Sequence, residues 1–535
     1  MGETTHATPT AQTSTVCAVL IVGAGPTGLT LAVELAGRGI SHRLLEAVPG
    51  PQEGSRGKGI QPRTLEVFED LGIAGRVLAH GQLAMPIRST APDGRVTLGG
   101  AEPESLKNRP DIPYTTSLVT PQWRVEEALR LRLSELGGAV EFGAPLLSFT
   151  QSDLGVSAVV ESGEGVEAIE AQWLVGCDGG RSSVRRQAAI PFEGETLEDV
   201  RMIVADVGVD GLDRDAWQMW RHPDGFLSLC PLPSTDVFQY QSSIAPGQDP
   251  QLGLDNLQSI LERRSGRTDL RLHEPTWSSL WRANIRLVDH YRRGRVLLAG
   301  DAAHVHSPAG GQGMNTGIQD AHNLGWKLAA VVQGAPNALI DSYEAERRPI
   351  AELVLGLSNA RLAQTVQGGM ATRRDASTLQ LDLNYRGSTL ALDDRDDNAD
   401  LRAGDRAPDA TGLRTQDGEY RLFDLTRGGR FTLLAFGGMP PIDHHPGVDI
   451  QTLRVAVEAR EPDQIVDTHG SLHAAYGAND LTLALIRPDG YLAALSHAGH
   501  VDAVNKVLAD VSPTVQPKDQ PPIYASPKNG DSHAL

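Results

Sequence analysis

The chain has 535 residues, of which 40% are hydrophobic and 21% charged, and carries a formal net charge of −19. That length allows roughly two to four domains with large cores, and the acid excess argues against nucleic acid or an anionic membrane as partner. No apolar run approaches the roughly 20 residues of a membrane span, and Cys17, Cys177 and Cys230 stand far apart in sequence, as suits thiols in a reducing cytoplasm.

Residues 1–17 are rich in Thr, Ala and Ser without a basic or apolar block, so they read as a disordered leader rather than a signal peptide. Val19-Leu20-Ile21-Val22 then forms an apolar strand running into Gly23-Ala24-Gly25-Pro26-Thr27-Gly28. In such a turn Gly23 permits the tight bend, Gly25 lets the main chain approach a pyrophosphate, and Gly28 lets helix and strand pack closely. The helix starting near Pro26 offers its positive end to the phosphates. A second strand, Arg43-Leu44-Leu45, ends in Glu46, 46 − 28 = 18 residues after the last glycine, where an acid for the ribose hydroxyls is expected.

Residues 83–100 and 191–285 are strand-like and interrupt the α/β pattern. Between them Trp173-Leu174-Val175-Gly176 runs into Cys177-Asp178-Gly179-Gly180, with Ser182 or Ser183 as N-cap of the helix that follows. Arg181, Arg185 and Arg186 suit phosphate contacts or a solvated face equally well. Trp217, Trp220, Phe226, Phe238 and Tyr240 are either the core of a sheet or, for one or two of them, the lining of a pocket for a flat apolar molecule. Next, Leu297-Leu298-Ala299-Gly300-Asp301 ends a strand on an acid able to bond a sugar-like hydroxyl, and a Gly-rich loop leads to a helix beginning near Met314. His304 and His306 lack a third metal ligand nearby, so no metal is expected. Asp393 to Asp397 open a linker over 393–403. Strands such as Phe431–Phe436 and Leu481–Ile486 follow in a cysteine-free region, 404–511, and residues 512–535 read as a flexible tail.

The order of these motifs, with Ser307-Pro308-Ala309-Gly310-Gly311-Gln312-Gly313-Met314-Asn315 and Tyr343-Glu344-Ala345-Glu346-Arg347-Arg348-Pro349, resembles the class A FAD monooxygenases, the group of para-hydroxybenzoate and phenol hydroxylases. The resemblance implies an α/β fold in which a Rossmann-like FAD-binding domain (18–82, 101–190 and 286–392) is interrupted by an antiparallel-sheet substrate domain. It also implies a thioredoxin-like C-terminal domain that is structural or oligomeric. FAD would be held non-covalently by Gly23, Gly25, Pro26, Thr27, Gly28, Glu46, Arg56, Gln122, Asp178, Asp301, Pro308, Gly311, Gly313 and the backbone of Met314 and Asn315. With one dinucleotide fingerprint, NAD(P)H would dock only transiently. The expected activity is hydroxylation of an aromatic or polyketide-like substrate with O₂, through a flavin C4a-hydroperoxide. Baeyer–Villiger insertion, epoxidation and a non-oxygenating reductase stay open, as does a homodimer. Where phenol hydroxylase has an Asp that helps deprotonate the phenol, this chain has Lys58, which suits a phenolate electrostatically but is a poor base.

Overall fold

The computed structural model describes residues 15–514 except 53, 101, 164, 246, 274, 307–310, 367–375, 396–398, 439 and 459–460. Its first sheet has eight strands, with the main path Arg292–Arg293, Val296–Leu298, Gly165–Gly176, Thr15–Val22, His42–Glu46 and Val140–Phe142. From Val296–Leu298 onward that path is parallel, and Thr15–Val22 lies inside it with Val19, Leu20 and Ile21 fully buried, as a strand covered on both faces requires. The register sets Leu45, Val22, Gly176 and Leu298 side by side in one row. Four motifs whose ends lie up to 298 − 22 = 276 positions apart therefore meet at one carboxyl edge, where open α/β sheets bind ligands.

The second sheet also has eight strands, in the order His304–Val305, Trp277–Val288, Phe192–Val207, Phe238–Ile244, Gly225–Pro231, Trp217–His222, Ile87–Thr90 and Val96–Gly99. Strand alternation gives it two unlike faces. Ile203, Ala205, Val207, Trp220, Leu227, Leu229, Phe238 and Tyr240 pack with Leu257 and Leu261 of the helix Leu254–Ser265. Asp206, Trp217, Ser228 and Gln239 point the other way, toward the loop Ser55–Lys58 of the cofactor side.

The third sheet, eight strands drawn mostly from the C-terminal part, centres on Phe431–Phe436. Leu434, Phe436, Ala484 and Ile486 close one core with Leu472 and Tyr476. Phe431, Leu433, Ala435, Leu483 and Leu485 instead join the main core. There Phe431 meets Trp326 of the helix Gly313–Val332 edge-on, at 5.6 Å between ring centroids. That helix is thus covered on one side by the C-terminal sheet and on another by the helix Pro26–Gly37.

Three expected limits move. Strand pairing begins at Thr15, inside the expected leader, because Cys17 and Ala18 are buried. The strand Trp277–Val288 carries the second sheet past residue 285, and His304–Val305 adds to it. Asp393 already pairs with Leu495, so the expected linker starts inside the third sheet. Most of the leader and tail, and residues 396 and 397 of the acidic run, lie outside the described residues.

Candidate active site

At the carboxyl edge the three glycines have three different reasons. Gly23 has φ +102°, and a Cβ there would stand 2.4 Å from the Cys177 carbonyl oxygen. A Cβ at Gly28 would stand 1.9 Å from the Gly23 oxygen, so helix and strand touch. A Cβ at Gly25 meets nothing within 4 Å, so the space before this turn is open to a ligand. No side chain caps the helix Pro26–Gly37, so its first N–H groups point into that space. Glu46 accepts from Ala24 N–H at 2.8 Å and Val48 N–H at 3.2 Å, fixing the turn while each oxygen keeps capacity for another donor. Thr27 serves packing: a Cβ at Gly300 would lie 2.5 Å, and one at Gly317 2.4 Å, from its Oγ1.

Asp178 caps the helix Ser183–Gln187, its Oδ2 accepting from the Ser183 N–H (2.6 Å) and hydroxyl (2.9 Å), while Oδ1 is buried with no partner. Ser182 is the N-cap, accepting from Arg185 N–H at 2.9 Å. The basic cluster divides: Arg185 is buried on the Ala302 and Gly180 carbonyls, whereas exposed Arg181 and Arg186 meet each other. Asp301 is solvent-reachable yet hemmed in by protein. That desolvation raises its pKa against the opposing charges of His304 and Arg56. Arg56 also acts on Glu126, so its charge faces the same cleft. Gln122 accepts from Gly57 N–H at 3.0 Å and donates to Glu126 at 2.8 Å.

Gly311 has φ +66°, and Gly313 begins the helix Gly313–Val332, whose first turn contains Met314 and Asn315 and lacks a side-chain cap. The Met314 side chain reaches the Gly57 turn, and the buried Asn315 amide donates to the Gly59 and Gly311 carbonyls and accepts from Gln61 N–H. Pro308 lies outside the described residues. An open glycine turn, two uncapped helix starts, a raised acid and an orphaned Asp178 oxygen together fit a dinucleotide carrying a pyrophosphate, a polyol and a flat ring.

Sequence reading missed the hub beneath this edge. Asp320, fully buried, binds His304 Nε2 at 2.6 Å, Arg347 Nε at 2.7 Å and Gly300 N–H at 3.1 Å. His304 is therefore tied to a carboxylate and stacked on His306 rather than held for a metal. Glu34, Asp70 and His322 do lie within metal-binding reach of one another elsewhere, but Glu34 already pairs with Arg38 and His322. The conspicuous signal for the hub was Arg347 in the Tyr343–Pro349 run.

Across from the helix Gly313–Val332 lies the polar face of the second sheet. Lys58 is buried, donates to Gln239 Oε1 and sits 4.3 Å from the Trp217 ring centre. Trp217 donates to Ser228 at 2.6 Å and packs with Met85. A cavity of about 360 Å³ opens beside Met85, between Gln82, Pro231 and Arg214. Of the five aromatics, Trp220, Phe238 and Tyr240 belong to the core face and Trp217 to this one.

Residues 16–358 match the model of an FAD binding domain, and residues 400–512 that of the C-terminal part of aromatic-ring hydroxylases. A flavin-dependent monooxygenase of Mycobacteroides abscessus is 43% identical over 491 residues, covering 90% of this chain and 97% of that one. A rifampicin monooxygenase of Rhodococcus hoagii is 34% identical, over 90% and 95% of the two chains. The crystal structure of aklavinone-11 hydroxylase with FAD and aklavinone superposes with a TM-score of 0.81 at 28% identity, covering 93% of this chain and 99% of that one.

Proposed function

The chain belongs to the FAD-dependent aromatic-ring hydroxylases and is a flavin monooxygenase, and from that premise we propose that it hydroxylates an aromatic or polyketide-like substrate with NAD(P)H and O₂. The observation that carries this reading is the placement of two unlike surfaces opposite one another. One is the row of motif ends at the cofactor edge; the other is the half-polar sheet face with Lys58 and Trp217.

Bound FAD supplies the redox chemistry, taking electrons from NAD(P)H and activating O₂. The chain's own residues bind, orient and exclude water. The N–H groups of Gly25, Thr27 and Gly28 together with Glu46 would receive the ADP half, Asp301 and Gln122 the polyol, and the helix start at Gly313–Asn315 the ring. The sheet shuts the opposite side, and the Lys58 ammonium stabilises an oxygen on the substrate as it becomes negative. Relatives named for rifampicin, 6-methylpretetramide and pentachlorophenol support a ring-bearing, oxygenated substrate.

The reading includes a cytoplasmic protein, supported by three buried thiols, and a homodimer, which light scattering decides. Among the described residues no helix is long and apolar enough to cross a membrane. The test is stopped-flow reduction with and without candidate phenols and polyketides, followed by mass spectrometry under ¹⁸O₂. Substrate-accelerated reduction with one labelled oxygen in the product is expected. Equal reduction rates and no label overturn it in favour of a reductase.

A further inference from the structure

The helix start that would meet the flavin ring, Gly313–Asn315, has no side-chain cap, so its first N–H groups are aimed by whatever grips the turn. Asn315 makes one grip, through the Gly59 and Gly311 carbonyls. The second comes from Gln380, 64 residues beyond Thr316, and from Thr378 in the short helix Ala376–Leu379.

Gln312, Thr316 and Gln319 stand at i, i+4 and i+7 and form one buried stripe. Gln312 Nε2 donates to the Thr378 carbonyl at 2.9 Å, and Gln380 Nε2 donates to the Thr316 hydroxyl at 3.3 Å. Gln380 Oε1 accepts from Gln319 Nε2 at 2.7 Å, so both ends of its amide are engaged. The Gln312 carbonyl in turn accepts from the Thr316 N–H at 2.9 Å and its hydroxyl at 3.0 Å. One strap thus holds the turn at 312 and at 316, and the three N–H groups lie between the two holds. Leu379, fully buried with Leu106 and Ile112, seats the strap from behind.

The backbone singles out Gln380. Its φ is +59°, and of the five non-glycine residues at positive φ among those described it alone is buried. A residue other than glycine stays in that region only when its surroundings over-determine it, and such positions collect at ligand sites. Glycine would meet the backbone need without strain but would bring no amide.

We propose that Gln380 is a positioning residue for the flavin ring: its amide holds the Gln312–Thr316 turn so that the Gly313, Met314 and Asn315 N–H groups point where the ring gains negative charge on reduction. N–H groups at a helix start favour an anion over a neutral group. Their aim therefore bears more on reduced than on oxidised FAD. A slack strap weakens the binding of reduced FAD more than that of oxidised FAD, and the midpoint potential falls.

This rests on the placement of the ring in the hydroxylase reading, and the experiment separates the two. Midpoint potentials of bound FAD are measured by dye equilibration for wild type, Gln380→Gly, Thr316→Val and the double variant. Glycine suits the backbone and removes the amide; valine keeps the shape of threonine and removes the hydroxyl that receives it. Each single variant is expected to lower the reduced-to-oxidised affinity ratio roughly threefold or more, about 14 mV for a two-electron couple. The double variant should fall no further than the larger single shift, because both changes cut one contact. Unchanged potentials in folded, FAD-loaded variants, or single shifts that add, make Gln380 merely structural and overturn the proposal. Should Gln380→Gly not fold, Thr316→Val answers alone by the same threefold criterion. Absence of ¹⁸O from every wild-type product removes the hydroxylase reading and leaves the potentials to decide the strap.

Discussion

Two seams join the cofactor-binding part to its neighbours, and both are polar, but they are finished differently. At the C-terminal seam Glu346 accepts from Lys327 at 2.6 Å and from Arg487 at 2.7 Å, and Arg487 also meets Asp489. Nearby Glu66 takes both Arg63 and Arg406. Each of these buried charges has an opposite charge against it. Both seams leave buried polar atoms over, Asp206 Oδ1 and Ser55 Oγ at the substrate-sheet seam and Arg63 Nε, Trp326 Nε1 and Tyr491 Oη at the C-terminal one; the difference is that the C-terminal seam is built on paired opposite charges. Paired charges at low dielectric hold parts together. The C-terminal sheet is accordingly a wall of the main core, not a detachable appendage.

The largest effect should come from opening the charge-paired seam. Glu346→Ala leaves Lys327 and Arg487 sharing a fully buried space without their carboxylate. Removing one partner of such a pair costs about 3–5 kcal/mol. The expected outcome is a large fall in the urea midpoint, measured with FAD at fixed concentration. An unchanged midpoint would mean that the two seams do not differ in kind.

How much of this was legible depends on whether the reason was local. Gly23, Gly25, Gly28 and the place of Glu46 follow from what one turn needs, and a cap at Ser182 or Ser183 from what one helix start needs. The backbone answers for Gly23 and Gly28, where a Cβ has no room, and for Ser182, which takes the cap. The seams were not legible because their pairs are far apart in the chain: Arg406 is 340 residues from Glu66, and Lys58 is 181 from Gln239. The run Tyr343–Arg348 was visible only as a pattern. In space Tyr343 bonds the Leu298 carbonyl, Glu344 the Tyr291 N–H, Glu346 the two cations, Arg347 Asp320 and Arg348 the Val288 carbonyl. A cheaper signal was overlooked in Phe238-Gln239-Tyr240-Gln241. Its strict alternation already puts the aromatics on one face and the amides on the other.

A middle-sized effect should sharpen the contrast from the ligand side. Asp301→Ala removes a charge-assisted acceptor for the cofactor polyol, worth about 1.5–3 kcal/mol. FAD affinity is expected to fall more than roughly tenfold by fluorescence titration. The cofactor-free chain should unfold no earlier than wild type, because desolvation already disfavours this carboxylate. Lower stability without FAD together with unaltered affinity would place Asp301 on the structural side of the comparison.

The smallest effect concerns pH and the far end of the charge-paired seam. There Asp70 accepts from Gly428 N–H, and Arg38 donates to the Gly429 carbonyl beside the pair His322–Glu34. Burial opposes the His322 charge, but Glu34 first, then Asp70 and Asp489, outweigh it, and its pKa is raised. Glu34 is likewise buried, yet His322 and Arg38 hold its pKa low. For a raised histidine the stabilisation is fully present below the unfolded pKa of about 6.5 and is lost as pH rises through the folded value. For the lowered Glu34 it is present above about 4.3 and lost on acidification. Lys327 runs the other way. Burial pushes it down to about 8, partly offset by Glu346. The unfolded chain therefore binds more protons between there and about 10.4, and stability rises with pH over that range. His322→Gln keeps the Lys327 contribution and removes the histidine one, so the difference between the two proteins isolates it. Between pH 6 and 9 the wild-type unfolding midpoint should decline relative to the variant's. Parallel curves would show that His322 carries no proton in the folded seam, and the pair with Glu34 would then be a neutral hydrogen bond.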